Sequence, residues 1–301
     1  MTDRPGTEQQ KETLAYFDAH ADNWSKAAQE FGPNTTNVIK QRNDYVLRVI
    51  DQQDKTRAAL DIGCGTGDLI LDIAARGILG VGIDFAPEMI NTAQQIAADK
   101  EVDAAEFHCC SVFEFKPGSL AYDCISANGF IEYISLDQLQ DLLSLAFDAL
   151  QPGGSLVLGS RNRLFNIFSM NKFTAQEIEW GTTSALIQES IALSEIKDVS
   201  ELFSVEPAPV PNTEFEQTHT GIDVSSRFQY TPLQLMSLMR HAGFETMHLS
   251  PINIHGVCPK LKDRHPDIHS SVSSLLHSLE GDYFELIPQA SSFMIHGKKR
   301  V

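Results

Sequence analysis

Apolar residues recur every three or four positions over residues 8–30, with Leu14, Phe17, Ala21 and Trp24 on one side, which predicts an amphipathic helix. Val38, Tyr45, Val46, Val49 and Ile50 predict a second helix over roughly 37–53. The pattern then shortens. Ala58 to Ile62 is an apolar run ending in glycines, and a helix-length stretch from Asp68 to Ala75 follows. The run GILGVGID stops at Asp84, and Pro87 sits just inside the next helix, where its missing N–H costs nothing. Ala105–Cys109 and Ala121–Ser126 read as strands. Leu136–Leu150 reads as an amphipathic helix stopped by Pro152-Gly153-Gly154, and Ser155–Gly159 as a fifth strand. Short apolar runs alternating with helices imply right-handed βαβ units and a parallel sheet.

Beyond residue 160 the rhythm breaks. Residues 161–229 hold helical stretches and the Pro-rich VEPAPVPN without a βαβ period. LFNIFSMNKF (164–173) has helical spacing and is oily, which suits core or dimer packing, or else the wall of an apolar pocket. A helix returns at 232–242, followed by a strand at 245–250, a helix around 266–279 and a closing strand at 291–298.

The most informative stretch is LDIGCGTG, where a strand runs into Gly63, Gly65 and Gly67 and then into a helix. Glycines there let the backbone turn sharply and approach a ligand at the carboxyl end of the sheet. The dinucleotide fingerprint G-x-G-x-x-G is not met, because Asp68 occupies its third glycine position. Asp61 lies inside an apolar strand, where an unpaired carboxylate is costly; a ligand ammonium or backbone N–H groups would suit it. Asp84 ends the second strand about 20 residues past the glycine turn, a position from which a carboxylate accepts ribose hydroxyls. A helix-capping role is the alternative.

These residues resemble the class I S-adenosylmethionine (SAM)-dependent methyltransferases. LDIGCGTG is similar to that family's first motif, GVGIDFAPEMI to its second strand and following helix, YDCISANGFIEYI to its fourth strand, and LQPGGSLVLGS to its fifth. YFDAHADNW is similar to the lid of small-molecule members. The resemblance implies a Rossmann-like, doubly wound seven-stranded sheet with a reversed last strand and a mainly helical cap. It divides the chain into an N-terminal helical lid (1–54), a SAM-binding core (55–160) and a cap insertion (161–229). The C-terminal part of the core (230–301) then carries a substrate-side insertion at 251–290.

The resemblance also implies residue roles. Gly63, Cys64, Gly65 and Gly67 form the cofactor loop, Asp61 organises it or the SAM amine, and Asp84 holds the ribose, with Phe85 and Met89 against the adenine. Ser111 and Val112 follow the third strand, where Cys110-Ser111 replaces the family's usual Asp. Asn128 and Gly129 lie beside the sulfonium. Apart from the resemblance, Arg42 on the second predicted helix is a candidate for the SAM carboxylate. Methyl transfer needs alignment and desolvation, and a base only when a proton must leave. His255 and Tyr16 are the catalytic candidates, His255 because it follows the sixth strand at the ligand-binding edge. His20, Trp24, Glu132, Tyr133, Arg161, His219, Arg227 and Tyr230 are candidates for the substrate side. Arg161 at a strand end suits a carboxylate, or pairs with Glu132.

The expected activity is methyl transfer to an O, N or carboxylate nucleophile of a small metabolite. Its rivals are a SAM enzyme that transfers the aminocarboxypropyl arm or cyclises, releasing methylthioadenosine, and a non-catalytic binding subunit. Composition narrows the partners. With 23 basic and 40 acidic side chains the formal charge is −17, which disfavours nucleic acid and anionic membranes. The five cysteines lack a CxxC pair and read as buried or half-buried free thiols rather than metal ligands. The polar N-terminus lacks a signal-peptide core, so a cytoplasmic location is expected, as a monomer or homodimer.

Overall fold

The computed structural model describes residues 11–20, 37–117, 121–209, 227–279 and 283–300. Residues 11–20 are helical (α1), and Val38–Asp51 form α2, opened by the Asn37 side chain accepting from the Lys40 amide. The alternating region gives β1 (Ala58–Ile62), α3 (Asp68–Ala74), β2 (Leu79–Asp84), α4 (Pro87–Asp99), β3 (Ala105–Cys109), β4 (Tyr122–Asn128), α5 (Leu136–Ala149) and β5 (Leu150–Arg161). Ser135 and Gln138 cap α5 reciprocally, which fixes its start at Leu136, just beyond Tyr133.

The seven strands are ordered β3-β2-β1-β4-β5-β7-β6, where β6 is Phe244–Ile254 and β7 is Ala290–Lys299. The first five pair in parallel, and β7 runs antiparallel to both neighbours. This is the expected sheet with its reversed last strand.

Residues alternate across the sheet between two apolar layers. Ala59, Cys124, Val157 and Met294 pack with α2 and α3 through Val46, Ile50, Ile70 and Ile73. Leu60, Ile125, Leu158 and Phe293 pack with α5 and with α9 (Pro232–His241) through Leu139, Leu143, Leu235 and Met239. Helices on both faces make the sheet doubly wound. The strand order reverses between β1 and β4, and a crevice opens beyond the carboxyl ends of those strands.

Between β5 and α9 the chain forms α6 (Phe165–Ser169), α7 (Lys172–Glu179) and α8 (Thr183–Glu195). The oily stretch 164–173 is therefore not one helix. Met170 takes a left-handed conformation (φ 49°) and leaves its side chain exposed, and Asn171 caps the next helix. Arg163 and Glu177, both fully buried, pin this cap down: Arg163 donates from Nε and Nη2 to the Glu177 carboxylate at 2.9 and 2.7 Å. Between β6 and β7 lie α10 (Pro259–Arg264), α11 (Pro266–His277) and a 3-10 turn at Phe284–Gln289. Asn162 ties that turn to β5 by donating to the carbonyls of Ile287 and Ala290.

Cys64 and Cys124 are buried, and Cys110 and Cys258 half-buried; Cys109 is exposed, because β3 is an edge strand. Among the described residues no helix is long and apolar enough to cross a membrane.

Candidate cofactor and acceptor site

A cavity of about 500 Å³ occupies the crevice, within the range of small-molecule sites. Its floor is the glycine turn. The Gly63 and Cys64 amides donate to the Ile83 carbonyl (2.8 and 3.1 Å), which folds the turn onto β2. Gly63 has φ 72°, and a Cβ there would lie 2.8 Å from the Phe130 ring. A side chain is thus excluded by strain and by space. Asp84 grips the same turn from β2: the Gly65 amide donates to its Oδ2 (3.0 Å) and the Ala86 amide to its Oδ1 (2.9 Å). Burial raises the Asp84 pKa, and these backbone donors pull it back.

Asp61 lines the cavity, although nearly all of its surface is buried. Ser126 donates to its Oδ1 at 2.7 Å, but burial outweighs that bond and pushes the carboxyl up to about 7. Asn128, at the end of β4, has both its side-chain oxygen and nitrogen buried with no hydrogen-bond partner. A buried amide left so costs free energy unless a ligand answers it.

The opposite side is basic. Arg42 of α2 crosses to β7, donating from Nη2 to Ser292 Oγ at 3.1 Å. It packs so closely over Gly129 that a Cβ at 129 would collide with Nη1. Arg161 from β5 and Arg227 close this corner around Glu132. Arg227 Nη2 donates to Glu132 Oε2 at 2.5 Å and Arg161 Nε lies 3.8 Å from the same oxygen. The Arg227 guanidinium also sits 5.1 Å over the Tyr133 ring. Burial depresses the pKa of Arg42, and that of Arg161 to about 10. Burial acts most strongly on Arg227 as well, but Glu132 and Tyr133 together lift it above its ordinary value.

Of the residues singled out from sequence, the cavity brings together Arg42, Asp61, Gly63, Cys64, Gly65, Asp84, Phe85, Met89, Ser111, Val112, Asn128, Gly129, Glu132, Tyr133, Arg161 and Arg227. Gly67 (φ 81°) instead packs against Phe107 behind the turn. Tyr16 and His20 are absent from the lining. They stack on each other (4.3 Å) on a flank of α1, while Thr13 and Phe17, one turn apart, face the cavity. Tyr230 is buried in the core, its backbone bridged to Asn162 beside β5. Trp24 and His219 lie outside the described residues.

His255 is displaced from its expected place. Strand β6 runs on to Ile254, so His255 turns inward against Phe165 (4.6 Å) and His269 (4.5 Å), buried and off the cavity. Burial drives its pKa down to about 3. In the unfolded chain the imidazole charges below about pH 6.5, but in the folded protein only near 3. Acidification between those values therefore favours unfolding. A His255→Leu variant should gain stability relative to the parent as pH falls from 6.5 toward 4, measured by urea midpoints at several pH values. A pH-independent difference would show that His255 does not titrate this way.

Cavity residues not foreseen were Thr13, Phe17, Phe130, Asn253 and Ser292. Phe17 and Phe130 fall within the stretches that resemble the lid and the fourth strand, whereas Asn253 and Ser292 carry no motif and reach the site through the return of β6 and β7 to the sheet. Among the described residues no group of His, Cys, Asp and Glu is arranged to hold a metal.

Residues 59–154 match the family model described as a methyltransferase domain. Over these residues the chain carries a methyltransferase domain, and its fold is similar to that of class I SAM-dependent methyltransferases. SAM is that family's cofactor. The chain is 26% identical over 160 residues to a ubiquinone biosynthesis O-methyltransferase of Coxiella burnetii, a match spanning 52% of this chain and 65% of that protein. Its fold resembles that of magnesium protoporphyrin IX methyltransferase from Synechocystis PCC 6803, solved with bound S-adenosylhomocysteine (SAH): TM-score 0.55, 14% identity, 97% of this chain and 99% of the other. It also resembles 1,6-didemethyltoxoflavin-N1-methyltransferase of Burkholderia thailandensis (TM-score 0.58, 12% identity, 100% and 93% coverage). The residues present fit SAM. Asp61 and Asp84 bring two acceptor carboxylates to the cavity, and the buried Asn128 amide, without a hydrogen-bond partner, belongs to the same lining.

Proposed function

We propose that the protein transfers the methyl group of SAM to an oxygen, nitrogen or carboxylate nucleophile of a small metabolite. The observation that carries this reading is one cavity lined both by the Asp61 and Asp84 carboxylates and by Phe17, Phe130, Tyr133 and the arginines. A binding subunit has no need of that second set of residues. The O-methyltransferase name of the curated relatives favours oxygen as the acceptor atom.

When bound, SAM supplies an electrophilic methyl group on sulfonium. Asp84 would accept its ribose hydroxyls, Asp61 its ammonium, and Arg42 would meet its carboxylate across Gly129. Phe85 and Met89 would flank the adenine. With His255 and Tyr16 both off the cavity, catalysis rests on alignment and on exclusion of water by Phe17, Phe130 and Tyr133.

Mass spectrometry after incubation with SAM and metabolite extracts tests the reaction. SAH together with an acceptor heavier by one CH₂ is expected. Methylthioadenosine instead would make it a SAM-consuming transferase or cyclase of another kind.

The Asp61 assignment has a pH signature. The carboxyl titrates at about 7 in the free protein, and holding an ammonium requires it ionised. SAH affinity measured by calorimetry should therefore weaken as pH falls below 7, by up to about tenfold per unit, and an Asp61→Asn variant should flatten that dependence. A parent protein whose affinity is constant from pH 6 to 8 would sink the assignment.

A further inference from the structure

Helix α4 starts without a side-chain cap of its own. Ala86 stands at its N-cap position and has no side-chain oxygen to accept with, and Pro87 supplies no N–H, so the Glu88 amide is the first donor of the opening turn. That amide donates to Asp18 Oδ1 at 3.3 Å, across 70 residues of chain. The cap that α4 lacks is thus supplied by α1. The same stretch of α1 forms a wall of the cavity. Thr13 and Phe17 line it, Leu14 and Phe17 pack on Ala86 and Met89, and Phe17 meets Tyr133 edge-on at 5.5 Å. Burial is the main cause that raises the Asp84 pKa, and Asp18 adds to it, so the two carboxylates stand within electrostatic reach of each other.

We propose that Asp18 is a positioning residue of the cofactor site: by capping α4 it seats Phe17 against Met89 and sets the rate at which the cofactor product leaves. Phe17 and Asp18 are neighbours in the chain, so the wall and the cap form and break together. While both hold, α1 closes its side of the cavity and retains a ligand beside Met89. The capping contact is exposed and is worth about as much as a helix cap elsewhere. That is enough to change a dissociation rate several-fold and too little to decide whether the chain folds.

This inference rests on the cofactor reading, and the experiment separates the two. Radiolabelled SAH is bound to the full chain, chased with excess unlabelled SAH, and its dissociation followed by rapid filtration. Asp18→Ala should speed dissociation roughly 2- to 30-fold. Asp18→Asn should stay within about twofold of the parent, because asparagine caps a helix as well as aspartate does. Hydrogen exchange over residues 11–20 should slow when SAH binds the parent, and slow less in Asp18→Ala. A purely structural role for Asp18 would lower the melting temperature of Asp18→Ala and leave the dissociation rate unchanged, which overturns the proposal. So does an Asp18→Asn variant that loses SAH as fast as Asp18→Ala. If SAH does not bind the parent, the cofactor reading fails. Exchange over residues 11–20 that is no faster in ligand-free Asp18→Ala than in the ligand-free parent then overturns the Asp18 cap by itself.

Discussion

Replacing Glu177 by alanine is expected to destabilise the protein by about 3–5 kcal/mol, the range for leaving one member of a buried ion pair unpaired. Arg163 has no exposed surface, and in the variant its remaining side-chain partner is the Pro209 carbonyl at 2.7 Å. Asn166 Nδ2 and Thr182 Oγ1, which donate to Glu177 at 2.9 and 2.6 Å, lose an acceptor at the same time. Urea unfolding followed by circular dichroism measures the loss. A cost below about 1 kcal/mol, as for an exposed pair, would mean that water reaches the site and that the cap is not sealed as described. The double variant Arg163→Met/Glu177→Leu should recover much of the loss, because two apolar side chains leave no buried charge. The effect should extend to the cavity. Arg163 follows Arg161 by two residues, and its amide donates to the Tyr230 carbonyl at 3.0 Å, so the network sets the rim on which Arg161 stands.

The parts of this molecule that could be read from sequence are those whose determinants are local. Asp61, the glycine turn and Asp84 fall within 24 residues of one another, and their spacing follows from a strand, a turn, a helix and a second strand. The alternating apolar runs likewise announced the parallel sheet. Of the basic corner only the Arg161–Glu132 pairing was legible, as an alternative, and Arg42 and Arg227 stood as separate candidates. Arg42 and Ser292 lie 250 residues apart in the chain, and it is the antiparallel return of β7 that brings them together. The Arg163–Glu177 pair carried no signal, since a charged residue in a helical stretch ordinarily marks a solvated face. His255 failed for a geometric reason: β6 extends to Ile254, and the histidine that seemed to open the loop instead turns into the core beneath α11.

This division has a physical origin. A cofactor shared by a whole family imposes the same acceptors at the same short spacing, so its site is written in one segment. On the proposed reading the acceptor side draws on α1, the end of β5, Arg227 and the last strands, and any of these can be exchanged without disturbing the turn. The resulting cavity has two chemistries, carboxylates beside the glycine turn and guanidiniums around Glu132.

Replacing Asp84 by alanine should weaken SAH binding by about 1–3 kcal/mol, roughly 5- to 150-fold, the cost of losing hydrogen bonds to a charged acceptor. The structure gives Asp84 one duty, in the turn and at the helix start, and the proposed function adds a second that this experiment separates from it. Its Oδ2 accepts from Gly65 and its Oδ1 from Ala86, the residue that precedes α4 and has no side-chain cap of its own. Both contacts stabilise the fold whether or not a ligand is present. If Asp84 served only as a turn and helix-start acceptor, the variant would lose stability by about the 0.5–2 kcal/mol of a lost cap and bind SAH as before. If it also accepts the ribose hydroxyls, the loss of affinity appears in calorimetry at a temperature where the variant remains folded. It should be larger for SAH than for homocysteine, which lacks the ribose. An equal loss for both ligands would place the effect in the Gly65 turn, because a disturbed turn would weaken the amino-acid end of the ligand as well. A loss confined to SAH identifies Asp84 as the ribose acceptor.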